Sequence, residues 1–595
     1  MDTYILKKET FYQSILAGAK SVIKQKDQLN AINVFPVADG DTGTNLSSLM
    51  EAILNENNQI DNEDQRLLMI ADRALDGARG NSGIIFAQYL NGLIYELNLT
   101  QDSISTEDLL QAMQKAVTYA YDSVSEPVEG TMITLMREFS ETLTKLHQQI
   151  KDVITLFSKA FEKLKDFLSM TTNQLDILKK NKVVDAGAKG FYHFIEGQLM
   201  YLKDGVMQEL YRDEFDQKDD EHKNHDETPF KDGDYRYCTE ALLTGENLSP
   251  KAIKSLLHDL GNSMVVAGNP NKVRVHIHTN EPQTVFLRLK DVAHIEQQKV
   301  DDMKRQYEIK NQRKYDTVIV TDSIADIPKT LIDQYQIQQV PIVLTIDGID
   351  YFDKLTITSS SFYASMDSKT YPVTSQPNLK KIINLYSYLS TYYKNILVLT
   401  VSSKMSGTHN VFVQAAKTVK EKVNIEIIDT KQNSGAEGLL VLKAAEMIDQ
   451  GMAYAEVAKT IRSHVKDTKI LVRLKTLKYM VRGGRVSKMT GFIAKLINLK
   501  PVVSIDEKGN GMIYAKAFSL KQSTKLIFNH IKSVINDTGI EKYAIVYAKK
   551  DRQTMEFIEE AKKIIGMEPV YEMEISAIVA MHAGIGTVAI SYIKK

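Results

Sequence analysis

The strongest constraint on the fold is a change in apolar periodicity across a charged break in the chain. Over residues 106–121, 131–145 and 150–168 apolar side chains recur every three or four positions, the pattern of helices with one buried face. Residues 211–232 are crowded with Asp, Glu, Lys and His and carry too little apolar surface to form a core, so they read as an exposed linker. From Tyr315 onward short apolar runs at 317–321, 340–346, 396–400 and 425–429 alternate with helical patterns, which implies an α/β sheet, largely parallel. A chain of 595 residues exceeds a single hydrophobic core. The reading is multidomain: an all-α domain over 1–210, a linker over 211–234, a small α/β middle domain over 235–310 and an α/β domain over 315–595.

Charge and cysteine content narrow the function classes. The 74 basic and 75 acidic residues leave a formal charge of −1, so overall charge gives no reason to expect nucleic acid as a partner. A single cysteine excludes an internal disulfide, and neither a leader nor an apolar run of about 18 residues is visible. The expected setting is cytoplasmic, without integral membrane insertion.

Residues 33–45 read Asn-Val-Phe-Pro-Val-Ala-Asp-Gly-Asp-Thr-Gly-Thr-Asn. Asp39 and Asp41 alternate in a turn and can point the same way, and such hard oxygen donors suit Mg²⁺, which binds through one or two carboxylates plus substrate phosphates. The same cluster would also serve as a surface turn. Gly80-Asn81-Ser82-Gly83 precedes an apolar run and could offer N–H groups and a hydroxyl to phosphates at a helix start, or simply cap that helix. No Walker loop occurs in the chain.

In the middle domain the run Val273 to Asn280 alternates with the period of a half-buried strand, so His276 and His278 share a face. With Cys238 they make a donor set suited to Zn²⁺; each taken alone would be an ordinary surface or core residue. In the C-terminal half, Thr374-Ser375-Gln376-Pro377-Asn378 reads as a polar loop, and Ser406-Gly407-Thr408 falls beyond a strand end, where α/β sheets bind ligands. Ser-Gly-Thr can cap the helix beginning near Thr408 and bind an anion at once.

Together these strings carry two resemblances. The 33–45 motif, with Gly77-Ala78-Arg79-Gly80-Asn81-Ser82-Gly83, Glu129-Gly130-Thr131-Met132-Ile133-Thr134 and Val184-Asp185-Ala186-Gly187-Ala188-Lys189-Gly190, resembles kinase subunits related to the L subunit of dihydroxyacetone kinase, especially the FakA form of fatty acid kinase. This implies an antiparallel helical barrel with Mg²⁺ and ATP at one end. Thr44, Asn45, Gly80, Asn81, Ser82, Gly83, Thr131, Asp185 and Gly187 would then contact the nucleotide, and Asn33 would stand where a third metal ligand is sought beside Asp39 and Asp41. The middle domain resembles that of FakA-type kinases, in which the Cys and His-x-His positions form a metal site.

The C-terminal strings, with Gly483-Gly484-Arg485-Val486-Ser487-Lys488 and Met581-His582-Ala583-Gly584-Ile585-Gly586-Thr587, resemble the DegV family of fatty-acid-binding proteins, which includes FakB subunits. Thr374, Ser375, Ser406, Gly407 and Thr408 would hold a fatty acid carboxylate, with Arg485 and His582 near that head group. The apolar, flexible residues of 489–499 could line a tunnel for the tail, or serve equally as an ordinary core helix. The implied function is transfer of a phosphoryl group from ATP to a long-chain fatty acid carboxylate, with kinase and lipid carrier fused. Asp39, Asp41 and Arg485 would carry the catalysis. A homodimer and transient membrane contact for lipid exchange are expected. The other readings are a dihydroxyacetone-type polyol kinase and a non-catalytic lipid-binding protein.

Overall fold

Why the first half folds as helices is visible at their starts. The computed structural model describes residues 5–35, 40–55, 62–101, 103–205, 230, 231, 233–366, 371–419, 422–484 and 499–595. They form two compact units, Met1–Met303 and Lys304–Lys595. In the first unit Asn62, Ser105, Asp152 and Asp185 each accept a backbone N–H from the first turn of α4 (Glu63–Gly77), α6 (Thr106–Ser123), α8 (Val153–Gln174) and α10 (Ala186–Asp204). With α1 (Lys8–Lys24), α2 (Lys26–Ala31), α3 (Thr42–Leu54), α5 (Gly80–Tyr95), α7 (Met132–His147) and α9 (Asp176–Asn181) they complete the helical part. Helices α1, α3, α4, α5, α6, α7 and α10 pack successively into a closed ring around one apolar cluster that includes Leu46, Phe86, Phe139 and Phe191. Where the ring closes, α1 and α10 approach so nearly that a Cβ on Gly197 would lie 2.7 Å from the Ala17 carbonyl oxygen.

The rest of this unit is a four-stranded antiparallel sheet ordered β4-β5-β3-β6, from β3 (Tyr237–Thr244), β4 (Gly261–Asn269), β5 (Lys272–Thr279) and β6 (His294–Asp302), with α11 (Pro250–Leu257) and α12 (Pro282–Leu289). The short pair β1 (Ile5–Lys7) and β2 (Ser103–Ser105) stands apart. Val265 and Ala267 of β4 belong to the same apolar cluster as the helical ring, so sheet and ring share one core. Arg274 of β5, 2% exposed, closes the junction. Its guanidinium donates to the carbonyl oxygens of Leu75 (3.2 Å) and Asp76 (2.7 Å) at the C-terminus of α4, where a cation complements the helix dipole.

The second unit contains three sheets. A parallel sheet, β13-β12-β7-β8, comprises β7 (Thr317–Asp322), β8 (Gln338–Val340), β12 (Asn395–Thr400) and β13 (Asn424–Asp429). A three-stranded antiparallel sheet joins β10 (Ile349–Phe352), β9 (Val343–Ile346) and β11 (Val373–Ser375). The third, ordered β16-β15-β14-β19-β17-β18, uses β14 (Thr468–Arg473), β15 (Val502–Ile505), β16 (Gly511–Ala515), β17 (Ile540–Tyr547), β18 (Tyr571–Glu574) and β19 (Val588–Lys594).

Three details correct the expectation from sequence. The largest sheet is antiparallel in all pairs but β17–β18, because β14, β15 and β16 follow one another as antiparallel neighbours and β19 inserts antiparallel between β14 and β17, so the sheet content as a whole is not largely parallel. The apolar run 340–346 is divided between two sheets at Pro341, which has no N–H to continue a ladder. Thr374 and Ser375 lie on a strand paired with β9 rather than in a loop.

Near-neutral overall charge hides a division between the units. Residues 1–303 hold 32 Lys and Arg against 47 Asp and Glu, and residues 304–595 hold 42 against 28. Among the described residues no helix is long and apolar enough to cross a membrane. Replacing Arg274 by Leu removes the charged donor from the buried Leu75 carbonyl and one of the two guanidinium donors to the Asp76 carbonyl, which Arg79 also reaches at 3.0 Å, and should lower the stability of the first unit by about 2–4 kcal/mol. Urea titration followed by far-UV circular dichroism checks this, and a change under about 0.5 kcal/mol would refute the role given to the guanidinium.

Candidate functional site

Four helix starts of the first unit gather at one end of the ring. A Cβ on Gly83 would lie 3.3 Å from the Asn45 carbonyl oxygen, one on Gly190 2.4 Å from Leu46 Cδ1, and one on Gly187 3.3 Å from Met132 Cβ, so the first turns of α3, α5, α7 and α10 adjoin. Such an end collects unpaired N–H groups and the positive ends of helix dipoles, which favour an anion. Asp41 stands at the N-cap position of α3. Gly80 opens α5 at φ +59°, where a Cβ would lie 2.3 Å from Asn45 Nδ2, so only glycine suits this position. The side-chain oxygen of Asn81 is buried without a hydrogen-bond partner.

The sheet brings a second constellation to the same place. In register, Cys238 faces His278 and Glu240 faces His276 across β3 and β5, while Asp301 and Lys299 of β6 face Cys238 and Glu240 on the other side. Directly opposed residues share a sheet face. Cys238 Sγ is 3.7 Å from His276 Nδ1, and the ligand atoms of Cys238, His276 and His278 all lie within 4.8 Å of one another.

Glu240, 1% exposed, accepts the Gly80 N–H at 2.8 Å through Oε1, which is also 3.5 Å from His276 Nδ1 and 3.9 Å from Lys299 Nζ. Burial opposes the Glu240 charge, but His276, Lys299 and the Gly80 N–H outweigh it and hold the carboxyl well below its usual range. Burial raises the Cys238 thiol, and the carboxylates of Glu240, Asp301 and Asp41 push it the same way. That last effect places the helix-end loop and the Cys/His/His cluster in one electrostatic neighbourhood. Burial, with His276 beside it, lowers His278 to about 3, so its imidazole is neutral at physiological pH.

The donors fit a zinc ion. One sulfur and two imidazoles converge, one imidazole is held neutral, and His276 Nε2 is buried without a partner. A metal there would hold Cys238 as thiolate.

In the second unit a cavity of about 250 Å³ lies among the sheets. Its walls are mainly apolar, among them Ile324, Val401, Ile470, Val546 and Ile578, and Thr374, Ser375, Ser406 and His582 also line it. Thr408 Oγ1 lies 2.8 Å from Ser406 Oγ and supports it from behind. The walls are pinned by buried carboxylates. Asp322 accepts the N–H groups of Ile324 (3.0 Å) and Val401 (2.9 Å), Asp326 that of Ser576 (2.9 Å), and Asp353 that of Ala577 (3.0 Å). The excess of cations in this unit favours an anionic ligand.

Comparison with known proteins assigns these regions. Residues 36–200 match the DAK2 domain, residues 234–310 the middle domain of FakA-like fatty acid kinase proteins, and residues 316–595 the DegV family, described as uncharacterised proteins. The chain joins a DAK2 domain, a FakA-like middle domain and a DegV domain. An uncharacterized protein of Staphylococcus aureus (strain bovine RF122 / ET3-1) is 32% identical over 307 residues, covering 50% of this chain and 56% of its own length; one from strain USA300 is 31% identical over the same shares. The chain thus spans about half the length of the curated relatives it matches. DegV, a fatty acid binding protein from Bacillus subtilis, is 25% identical, with 47% of this chain and 100% of that chain covered at a TM-score of 0.44. A Thermotoga maritima protein whose structure is described as revealing fatty acid binding function is 27% identical over 47% and 100%, with a TM-score of 0.41.

Within the first unit, several side chains named from sequence are engaged in the fold. Asn33 Oδ1 accepts the Thr42 hydroxyl, Thr44 exchanges two hydrogen bonds with Asn30, each 3.0 Å, and Thr131 Oγ1 donates to the Val128 carbonyl. Asp185 accepts N–H groups from Ala188, Met132 and Gly187, and burial pushes its carboxyl up to about 6 against those bonds. Ser82 is half-buried in the first turn of α5. In the DegV domain Gly407 also lines the cavity. Asp39, Arg485 and the 489–498 part of the suggested tunnel lie outside the described residues; Leu499 is buried with Leu474 and Val503, two residues of the cavity wall.

Sequence reasoning missed Glu240, Lys299 and Asp301; the one local sign was that Glu240 stands two residues after Cys238, the spacing that puts both on one face of a strand. Cys238→Ser should reduce bound zinc from about one ion per chain to a small fraction, measured by plasma mass spectrometry on the full chain, with unchanged far-UV circular dichroism. Full retention of zinc would remove Cys238 from the ligand set.

Proposed function

We propose that this chain is a fatty acid kinase in which the DAK2 and middle domains bind Mg·ATP and the DegV domain holds the acyl substrate. The observation that carries the reading is an apolar cavity with hydroxyls and an imidazole on its wall, in the same chain as an anion-favouring helix end flanked by Asp41. A tail of about 15 methylenes gains on the order of 10 kcal/mol on leaving water, at roughly 0.8 kcal/mol per CH₂, which explains why a dry cavity is required. Thr374 and Ser406 offer hydroxyls to the carboxylate, and His582 adds an imidazole.

In the proposed step a fatty acid carboxylate oxygen attacks the γ-phosphorus, the bond from that phosphorus to the β,γ-bridging oxygen breaks, and ADP leaves with the electron pair. The product is an acyl phosphate. The carboxylate is ionised at neutral pH, so no general base is needed, and catalysis consists of in-line positioning and charge compensation. Asp41, with Asp39, would hold Mg²⁺, which offsets charge on the phosphates. The first turns of α3 and α5 would receive the phosphate oxygens, and Arg485 would offset charge at the acceptor.

Incubating the full chain with Mg·ATP and oleate, then trapping with hydroxylamine, should give oleoyl hydroxamate by mass spectrometry. Asp41→Ala should lower its formation more than about 100-fold while leaving copurified lipid unchanged. The double variant Thr374→Val, Ser406→Ala should instead weaken fatty acid binding about tenfold or more, as expected for loss of two hydrogen bonds to a charged group. Phosphorylation of dihydroxyacetone in place of oleate would replace this reading with that of a polyol kinase.

A further inference from the structure

Glu240 joins two parts of the first unit that otherwise have separate chemistry. One of its oxygens receives the N–H of Gly80, the residue that opens α5, at 2.8 Å, and is 3.5 Å from His276 Nδ1 in the Cys/His/His cluster. The other oxygen is buried and has no hydrogen-bond partner, as is His276 Nε2. A carboxylate with 1% exposure and one unpaired oxygen is costly unless positive charge lies close by. Lys299 supplies only part of this, since its Nζ is 3.9 Å from Glu240 but 2.7 Å from Asp301.

The same carboxylate sits where nucleotide phosphates would meet the start of α5. Without compensation its negative charge opposes them, in a buried setting where charges are weakly screened.

We infer that Glu240 is a positioning residue that makes nucleotide affinity depend on the cation held by Cys238, His276 and His278. The inference rests on the functional reading above, from which both the nucleotide and the zinc ion are taken. A cation on the cluster compensates Glu240 through His276, lowers the opposition to phosphate and steadies the Gly80 N–H that Glu240 holds. Because binding free energies are linked, nucleotide must tighten zinc binding by the same factor by which zinc tightens nucleotide binding. The carboxylate acts through Gly80 and His276 and does not itself touch the reacting atoms, so its loss should alter the coupling between two ligands rather than the capacity to bind either.

Calorimetric titration of the full chain with Mg·ADP, before and after removal of zinc by a chelator, provides the test. The wild-type chain should bind Mg·ADP about tenfold or more tightly with zinc than without, and zinc alone should bind correspondingly better in the presence of Mg·ADP. In Glu240→Gln, which keeps the shape and an acceptor for Gly80, zinc content should remain near one per chain while the ratio of the two Mg·ADP affinities falls below about two. Equal affinities in the wild-type chain, with both ligands bound, would overturn this inference and leave the functional reading intact. An unchanged ratio in Glu240→Gln, or loss of its zinc, would also overturn it. A wild-type chain that binds neither zinc nor nucleotide would overturn both.

Discussion

Arg274 is the contact on which the first unit depends. A guanidinium removed from water must have its donors satisfied, and the C-terminal carbonyls of α4 provide acceptors that helix geometry leaves unpaired. Burial lowers its pKa to about 9, so it still carries its proton at neutral pH. Holding the end of α4 fixes the turn that follows, and that turn delivers Gly80 to Glu240. The proximity of the helix-end loop to the Cys/His/His cluster therefore follows from a cation anchored on the neighbouring strand position, two residues before His276.

Local motifs made much of this arrangement legible, because they depend on short-range geometry. The alternation at 273–280 puts His276 and His278 on one face whatever the tertiary fold, and the Gly80-Asn81-Ser82-Gly83 string marks a helix start by composition alone. Glu240 escaped notice since its meaning lies in a hydrogen bond to a residue 160 positions away. Arg274 looked like the polar member of an alternating strand, yet its side chain turns toward the end of a helix that no periodicity connects to it. The near-zero net charge concealed opposite balances in the two units, because a sum over the whole chain cannot show segregation.

The C-terminal half shows a different limit. Strand and helix patterns gave the α/β class, but the insertion of β19 between β14 and β17 is a matter of topology, and sequence order does not encode it. Pro341 was the readable sign that 340–346 is not one strand. The cavity wall is composed of ordinary Ile and Val residues that sequence cannot tell from any other core. Its polar lining, by contrast, stands out because Thr374, Ser375 and Ser406 are hydroxyls at strand and helix ends.

The carboxylates that pin the cavity wall also set how that wall responds to acid. Desolvation raises Asp322 and Asp353 to about 6, and raises Asp326 and the fully buried Glu437 as well, with Lys354 as a cation beside them. A carboxyl whose folded pKa exceeds its unfolded value binds more protons in the folded state, so its contribution to stability grows as pH falls from 7 toward 5 and is lost as pH rises through the folded value. Carboxylates held in salt bridges behave the opposite way. Mild acid, which destabilises domains by protonating such pairs, is therefore offset in this unit by the protons that Asp322 and Asp353 take up in the folded state.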